Sequence, residues 1–508
     1  MSNARIINAD CLAALRDMPD ASVDAVVTDP PYGLSNTRPE QVAETITRWV
    51  TGDREYLPSG RGFMGHEWDG FVPPVAVWDE CLRVLKPGGH LLAFAGSRTH
   101  DLMTLGIRLA GFEIRDSVAW LYGSGFPKSL DVSKAIDKRG GNAHMAHEIG
   151  QAIKAARIRR GWTVRQADRH FCGGSTNWTW YEGRKGEVRP PSPADFERIV
   201  SEWPELAPLA ESVAAAEREV VGRGQSGPAS VAFTRDSGGT YDVTAAHSDA
   251  AREWEGWGTA LKPAFEPVTL ARKPLNGTVA ANVLEHGTGA LNIDACRVGS
   301  TVETWPKSRA RPNNTQDMHH DYTGGGSHTV ETGPAPAGRW PANVMLDESQ
   351  AAELDRQSGN VKSGGNSKRH KRASPNWGGY SGGSGIVSGA ECPPSEGGAS
   401  RFFYVAKAGR RERPEVDGVK HPTVKPLALM RHLCRLVTPP GGVILEPFAG
   451  SGTTVEAAML EGFDVVGIER EADYLPLIQA RIERATTKRE ARAEAEGGAL
   501  FPIDGDAS

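Results

Sequence analysis

Cysteine is scarce in this chain and is not arranged for metal chemistry. Only six of the 508 residues are cysteine, and they are scattered without a CxxC pair or a cluster of histidines. This pattern argues against a structural zinc site and favours reduced thiols in an intracellular protein. We therefore expect no metal centre.

Long apolar runs are also missing. No stretch reaches the length that a membrane-spanning helix needs. The first residues, MSNARIINAD, are polar from the outset and unlike a signal peptide. The sequence therefore predicts a cytoplasmic protein without a membrane partner.

Positive charge is not in excess either. The chain has 58 Lys and Arg against 63 Asp and Glu, a net charge of -5. A protein that coats nucleic acid would be strongly basic, so any surface for nucleic acid must be local here. The length and the globular composition predict two to four domains.

The two ends of the chain, residues 1–135 and about 420–486, alternate strand-like and helix-like segments. Such alternation predicts an α/β fold with a mainly parallel sheet covered on both faces. Neither piece has enough strands for a stable sheet, so we infer one sheet assembled from both ends, with the rest inserted. The residues KPGG, 86–89, predict a turn before a strand that begins at His90.

The stretch VDAVVTDPPYG ends an apolar run with an acid, two prolines and a tyrosine. Proline cannot donate to a sheet ladder, so the strand should stop there and project Asp29 and Tyr32 from its carboxyl end. Open α/β sheets bind their ligands at that edge.

A glycine loop, EPFAGSGTT, follows a predicted strand near the other end of the chain and opens a helix. Gly450 and Gly452 allow a tight turn and a close approach to a ligand. The next strand ends in Glu469, which is placed to bind ribose hydroxyls. Because the loop lacks G-x-G-x-x-G and the P-loop lysine, a ligand with a ribose and no phosphate fits better. S-adenosylmethionine is such a ligand.

The tetrapeptide suits chemistry on an exocyclic amino group. The amino nitrogens of adenine and cytosine are weak nucleophiles, because their lone pair is delocalised into the ring. Asp29 and the carbonyl of Pro30 can accept the two amino hydrogens, and Tyr32 offers a face for the base to stack on. The base must first leave the duplex, at a cost of a few kcal/mol.

Taken together, DPPY and FAGSGTT resemble the amino-methyltransferases that modify adenine N6 or cytosine N4 in DNA. The order of the motifs resembles the beta class, in which the tetrapeptide precedes the target-recognition region and the cofactor loop comes last. The resemblance covers roughly residues 1–135 and 400–486. It implies a Rossmann-like, circularly permuted sheet and S-adenosylmethionine as cofactor. Asp in the tetrapeptide, in place of the Ser common among cytosine-N4 members, favours adenine.

The resemblance also implies individual residue roles. Asp10 resembles the acid that contacts the cofactor adenine, Phe448 the aromatic beside the cofactor, and HPTVKP the segment that completes the methionine pocket, through Thr423 and Lys425. The predicted catalytic residues are Asp29, Pro30, Pro31 and Tyr32. The predicted cofactor residues are Asp10, Glu446, Phe448, Ala449, Gly450, Ser451, Gly452, Thr453, Glu469, Thr423 and Lys425.

The inserted middle contains a segment that resembles a helix-turn-helix unit. Ile149, Ile153 and Ala156 mark the inner face of one helix, and Thr163 can cap a second helix. Nine Lys or Arg against three acids between residues 151 and 189 suit phosphate contacts. The alternative is a purely structural role, in which the segment is a small helical insert whose basic residues form a solvated face. If the unit binds DNA, the candidates are Arg165, Asn177, Thr179, Arg184 and Lys185.

These observations divide the chain and define its partners. The predicted parts are 1–135, the catalytic half; 136–205, the helix-turn-helix-like insert; 206–400, an irregular target-recognition insert; 401–486, the cofactor-binding half; and 487–508, a charged, disordered tail. We expect double-stranded DNA as the partner, alongside a cognate restriction endonuclease, and a monomer or homodimer. Residues 253–275 also resemble a segment of bacterial and phage-type members.

Three alternatives remain open on the sequence. Cytosine N4 is a close alternative target. RNA or a protein glutamine is modified by enzymes with a similar tetrapeptide, although those usually place the cofactor loop first. A regulator that binds DNA through the insert and carries an inactive α/β domain is a different class, against which the intact Asp29, Tyr32 and Glu469 argue.

Overall fold

The computed structural model resolves an α/β unit and a separate helical unit. The described residues are 3–35, 37–60, 69–123, 125, 129–139, 142–174, 177–183, 190–216, 220–225, 240–244, 249–299, 308–311, 328–331, 338–363, 395–406, 412, 414–416, 418–421 and 423–497. The first unit comprises Met1–Ser124 and Ala264–Ser508, and the second comprises Gly125–Pro263.

A nine-stranded sheet forms the centre of the first unit. Its strands are β1 (Ala4–Asn8), β2 (Val23–Thr28), β3 (Leu85–Phe94), β4 (Glu113–Leu121), β5 (Phe265–Arg272), β6 (Val344–Asp347), β7 (Tyr404–Ala406), β8 (Val443–Glu446) and β9 (Asp464–Glu469). Their order across the sheet is β1-β9-β8-β2-β3-β5-β4-β6-β7. Strand β5 runs antiparallel to β3 and β4, and the other neighbouring pairs are parallel.

The two ends of the chain meet in this sheet, as predicted. Ala4 pairs with Val465 and Asn8 with Glu469, so the first strand lies beside the last. Strand β2 then pairs with β8, which places the DPPY strand next to the strand of the glycine loop. The predicted α/β sheet assembled from both ends is therefore confirmed.

The sheet also takes strands from the region that we predicted to be inserted. Strands β5 and β6 lie within residues 206–400, yet β5 separates β3 from β4. Residues 267–272 are all buried, on both faces of the strand, which is the setting of a strand in the interior of a sheet. The middle of the chain therefore contributes to the core as well as carrying the helical unit.

The predicted turn at residues 86–89 is wrong. These residues belong to β3, and the register against β2 shifts between Val23 and Ala25, whose partners are Leu85 and His90. The glycines therefore form a bulge within a continuing strand, with Gly88 at a φ of 76°.

Helices cover the sheet on both faces. Alternate residues of β2 enter different apolar clusters: Ala25 and Val27 pack in one, and Val26 in the other. The helices of this unit are Cys11–Arg16, Pro39–Thr51, Val75–Val84, His100–Leu109, Val279–His286, Glu348–Ser358, Leu427–Val437, Thr453–Glu461 and Leu475–Gly497, with short 3-10 turns at Asp294–Cys296, Ala399–Phe402 and Ala472–Tyr474. The last helix extends into the predicted tail as far as Gly497, and the rest of the tail lies outside the described residues.

Four pairs of short antiparallel strands complete the description, one of them in the second unit. They are Val220–Gln225 with Thr240–Thr244, Ser308–Arg311 with His328–Glu331, Val361–Ser363 with Ser395–Gly397, and Glu415–Val416 with Val419–Lys420. In the described part of the chain, every helix is too short or too polar to span a membrane.

The second unit is built mainly of helices around an aromatic core. Its helices are Val132–Arg139, Asn142–Arg159, Val164–Cys172, Asn177–Tyr181, Pro193–Glu202, Ala210–Ala216 and Asp249–Glu253, with a 3-10 turn at Pro204–Leu209. Ile149, Ile153 and Ala156 are fully buried, which confirms the predicted inner face of the first long helix. Trp178 and Trp203 fill the centre of this core.

Candidate active site

The tetrapeptide lies at the carboxyl end of β2. The strand stops at the buried Thr28, and Asp29 to Tyr32 follow it outside any helix or strand. Gly33 follows at a φ of 65°, and a β-carbon there would stand 2.7 Å from the backbone nitrogen of Val72. The chain can therefore turn sharply after Tyr32 only because the next residue is glycine.

A buried carboxylate anchors this turn. The backbone N–H groups of Tyr32 and Gly33 both donate to Oδ1 of Asp69, over 2.8 and 3.0 Å. The hydroxyl of Thr99 donates to the carbonyl of Tyr32 over 2.6 Å. The backbone of the tetrapeptide is thus tied from both sides, as a preorganised site requires.

The side chains of the tetrapeptide join a cluster of charged groups. Oδ1 of Asp29 lies 2.8 Å from the hydroxyl of Tyr32, and Oδ2 accepts from Nζ of Lys425 over 2.7 Å. Oε2 of Glu266 lies 2.9 Å from the same hydroxyl and 3.2 Å from the same Nζ. Burial, together with the charges of Asp29 and Glu266, raises the pKa of Tyr32 well above its usual range. Tyr32 therefore stays protonated and serves as a donor.

The glycine loop stands on the neighbouring strand. It joins β8 to the helix Thr453–Glu461, and the N–H of Ala449 donates to the carbonyl of Ile468 on β9 over 2.9 Å. Gly450 and Gly452 have φ values of 51° and 80°. A β-carbon on Gly452 would lie 3.1 Å from Cα of Ile478, so a side chain there would be crowded as well as strained by the positive φ.

Glu446 connects the two motifs. Its carboxylate accepts from the hydroxyls of Thr28, at the end of β2, and of Thr454, in the helix after the loop. The N–H of Phe448 donates to it over 3.1 Å. Burial raises its pKa to about 8, although these three donors act in the opposite direction. Glu446 thus holds the tetrapeptide strand and the glycine loop at a fixed separation.

Glu469 lies at the end of β9, against the same loop. Its Oε2 accepts from the N–H of Gly450 over 2.6 Å, and Oε1 accepts from the N–H of Glu471 over 2.8 Å. Burial raises the pKa of this carboxyl, opposed by the two N–H donors. A carboxylate has about four lone-pair positions, so two remain for further donors.

The other predicted cofactor residues are distributed around these elements. Asp10 is exposed at the end of β1, where Oδ1 caps the helix Cys11–Arg16 through the N–H groups of Leu12 and Ala13. Phe448 is half-buried, Ser451 and Thr453 are buried, and Thr423 is exposed. Lys425, which we predicted in the methionine pocket, makes its ion pairs with Asp29 and Glu266.

The predicted DNA-binding residues lie in the second unit or outside the described residues. Arg165 is exposed on the helix Val164–Cys172, and Thr179 is half-buried on the short helix Asn177–Tyr181. Asn177 lies on the same short helix, while Arg184 and Lys185 lie outside the described residues. Among the described residues, three of the counted basic residues form ion pairs: Arg157 with Glu182, and Arg159 and Arg160 with Glu205.

Sequence reasoning missed two acids of the site. Asp69 stands in no motif, and nothing in the sequence pairs it with residues 32 and 33. Glu266 falls within residues 253–275, which resemble a segment of bacterial and phage-type amino-methyltransferases. No local spacing connects Glu266 with the tetrapeptide.

The chain resembles known DNA-modifying proteins. It matches the N6_N4_Mtase family model, described as DNA methylase, over residues 23–144 and 261–480, more than half of the chain. The type II methyltransferase M.ScaI of Streptomyces caespitosus is 40% identical over 72 residues, 14% of this chain and 24% of that protein. The type II methyltransferase M2.MboI of Moraxella bovis is 42% identical over 67 residues, 13% of this chain and 24% of that protein. The chain thus matches about a quarter of the length of these two relatives.

Solved structures were matched over most of their length, at low identity. The PvuII DNA methyltransferase, described as cytosine-N4-specific, has a TM-score of 0.34 at 12% identity, covering 96% of this chain and 91% of that one. The M1.HpyAVI–SAM complex has a TM-score of 0.32 at 11% identity, covering 94% and 98%. The family model matches more than half of the chain and includes both the tetrapeptide and the glycine loop. The chain therefore belongs to the N6/N4 family of DNA methylases.

Proposed function

We propose that this protein transfers a methyl group from S-adenosylmethionine to an exocyclic amino group of a base in double-stranded DNA, with adenine N6 as the target. One observation carries the proposal: the tetrapeptide and the glycine loop stand at the carboxyl ends of adjacent parallel strands, β2 and β8. Ligands of open α/β sheets bind at that edge.

The residues at the glycine loop fit S-adenosylmethionine. Gly450 and Gly452 adopt the left-handed backbone of a tight turn, where a side chain would be strained, and Glu469 beside them keeps lone pairs for ribose hydroxyls. Asp10, Phe448 and Thr423 complete the set that would hold the cofactor, together with Ala449 to Thr453. When bound, S-adenosylmethionine supplies an electrophilic methyl group on a sulfonium.

The chain's own residues would prepare the base. A carboxylate at Asp29 and the carbonyl of Pro30 accept the two amino hydrogens, which draws the nitrogen towards tetrahedral geometry and makes its lone pair available. Tyr32 offers its ring to the flipped base, and stacking offsets part of the cost of unpairing. The anchors Asp69 and Thr99 keep these groups in place before the base arrives.

The second unit is the proposed reader of the DNA. Its exposed basic residues, among them Arg165, suit phosphate contacts, whereas Trp178 and Tyr181 belong to its core. Site-specific recognition and a partner endonuclease form part of this proposal, and two of the relatives are named type II methyltransferases.

The test is to incubate the purified protein with unmethylated genomic DNA and S-adenosylmethionine, digest the DNA and identify modified nucleosides by mass spectrometry. We expect N6-methyladenine. N4-methylcytosine would keep the reaction and change the target. Folded, cofactor-binding protein that modifies neither base would refute a DNA methyltransferase and favour an RNA or protein substrate, or a DNA-binding regulator.

A further inference from the structure

Glu266 is a second carboxylate in the candidate active site and belongs to neither motif. It is the second residue of β5, the strand that the chain forms after the helical unit. Its Oε2 lies 2.9 Å from the hydroxyl of Tyr32 and 3.2 Å from Nζ of Lys425. With 18% of its side chain exposed, it shares the half-buried setting of Asp29, which is 22% exposed.

The two carboxylates share one ammonium. Nζ of Lys425 lies 2.7 Å from Asp29 and 3.2 Å from Glu266, and only 8% of its side chain is exposed. The rings of Tyr32 and Phe94 stand about 5 Å from the same nitrogen. Burial lowers the pKa of Lys425, but the charges of Asp29 and Glu266 outweigh it and hold the pKa above its usual value. Lys425 is therefore charged at neutral pH.

This arrangement sets a requirement for the proposed reaction. Both oxygens of Asp29 are engaged, Oδ1 with Tyr32 and Oδ2 with Lys425. Each oxygen of Asp29 keeps a further lone pair, but the phenol and the ammonium compete with the amino hydrogen for the charge of the same carboxylate, so Asp29 accepts that hydrogen more strongly once one of these contacts loosens. A neutral amino group is a weaker partner than an ammonium, and a buried ammonium that loses its counter-ion is strongly destabilised.

We propose that Glu266 is a positioning residue that takes over Lys425 and Tyr32 when Asp29 turns to the target amino group. This inference rests on the proposed function and deepens it. The phenol has one proton and two carboxylates within reach, so it can donate to only one at a time. The ammonium of Lys425 has three N–H donors. It can therefore strengthen its contact with Glu266 as its contact with Asp29 weakens, without leaving the site. The charge of the cluster is unchanged throughout.

The first test replaces Glu266 by Gln, which keeps the shape and removes the charge. We expect the single-turnover methylation rate to fall about 10- to 100-fold, while the Kd values for S-adenosylmethionine and for DNA stay within about twofold of wild type. Glu266→Asp should recover part of the rate. Glu285→Gln is the matched control, because its side chain is exposed on the helix Val279–His286.

The second test is independent of activity. In thermal unfolding, Asp29→Asn and Glu266→Gln each leave Lys425 with one counter-ion, whereas the double variant leaves it with none. We expect the Tm of the double variant to fall by more than the sum of the decreases in the two single variants. If the Tm loss of the double variant equals the sum of the two single losses, Asp29 and Glu266 do not act on the same ammonium. That result would overturn the proposal.

The two proposals fail in different ways. A wild-type protein that methylates no DNA base refutes the proposed function and, with it, the role of Glu266. An active wild type with Glu266→Gln at the same rate refutes the role of Glu266 alone. Equal losses of rate and of cofactor affinity in that variant would also overturn it, because they indicate a structural defect.

Discussion

The buried carboxylate of Asp69 determines where the tetrapeptide stands. Asp69 is 4% exposed and accepts the N–H groups of Tyr32 and Gly33 at one oxygen. A hydrogen bond to a charged group contributes about 1.5–3 kcal/mol, so Asp69→Ala removes about 3–6 kcal/mol from this turn. Asp69→Asn keeps an acceptor of the same shape and should lose much less.

Hydrogen exchange measures this effect at the two amides themselves. Since about 1.4 kcal/mol corresponds to a factor of ten, exchange at Tyr32 and Gly33 should accelerate at least about 100-fold in Asp69→Ala. Methylation should fall as well, because a displacement of about 1 Å at a reacting group can cost about 100-fold in rate. Unchanged exchange at both amides in Asp69→Ala would refute the anchoring role.

Three further predictions concern Glu446, the glycine loop and the core of the helical unit. Burial raises the pKa of Glu446 to about 8, so the folded state retains a proton that an ordinary carboxyl releases near pH 4.5. This contribution to stability is complete below that pH and is lost as the pH rises through 8, so the Tm of Glu446→Gln relative to wild type should rise between pH 5 and 9. Gly452→Ala should weaken binding of S-adenosylmethionine in calorimetry, because the new methyl group meets Ile478 at a φ of 80°. Trp178→Ala should cost about 3–5 kcal/mol in the helical unit, because a fully buried ring is removed, and should make residues 125–263 susceptible to limited proteolysis.

Each of these predictions has a clear contrary result. A constant difference in Tm across the pH range would mean that Glu446 is ionised throughout. Unchanged affinity in Gly452→Ala would separate the loop from the cofactor. Protection of the helical unit in Trp178→Ala would show that this ring is dispensable to its core. Trp257→Ala, at a position that is 60% exposed, is the control.

Motifs whose chemistry is local were predictable from the sequence. The prolines after Thr28 end β2 where expected, and the glycines at 450 and 452 take the left-handed backbone that the loop requires. The buried positions of Ile149 and Ile153 followed from helical spacing alone. In each case neighbouring residues determine the outcome.

Features that depend on distant parts of the chain were not predictable in the same way. KPGG was interpreted as a turn because glycine and proline usually interrupt strands, but pairing with β2 absorbs it as a bulge. Strand β5 enters between β3 and β4 from a region that appeared to be an insert. Asp69 and Glu266 reach the tetrapeptide only through that tertiary arrangement, so no local spacing indicates them.

In the proposed reaction, Asp29 prepares an amino group for methyl transfer without holding the cofactor. The most direct measurement compares Asp29→Ala with wild type in two assays on the same preparation: single-turnover methylation of DNA, and calorimetric binding of S-adenosylmethionine. Asp249→Ala, whose side chain is 96% exposed, is the matched control. We predict a rate loss of about 100- to 1000-fold with a Kd within about twofold of wild type. A wild-type rate, or loss of cofactor binding in Asp29→Ala, would contradict this role of Asp29.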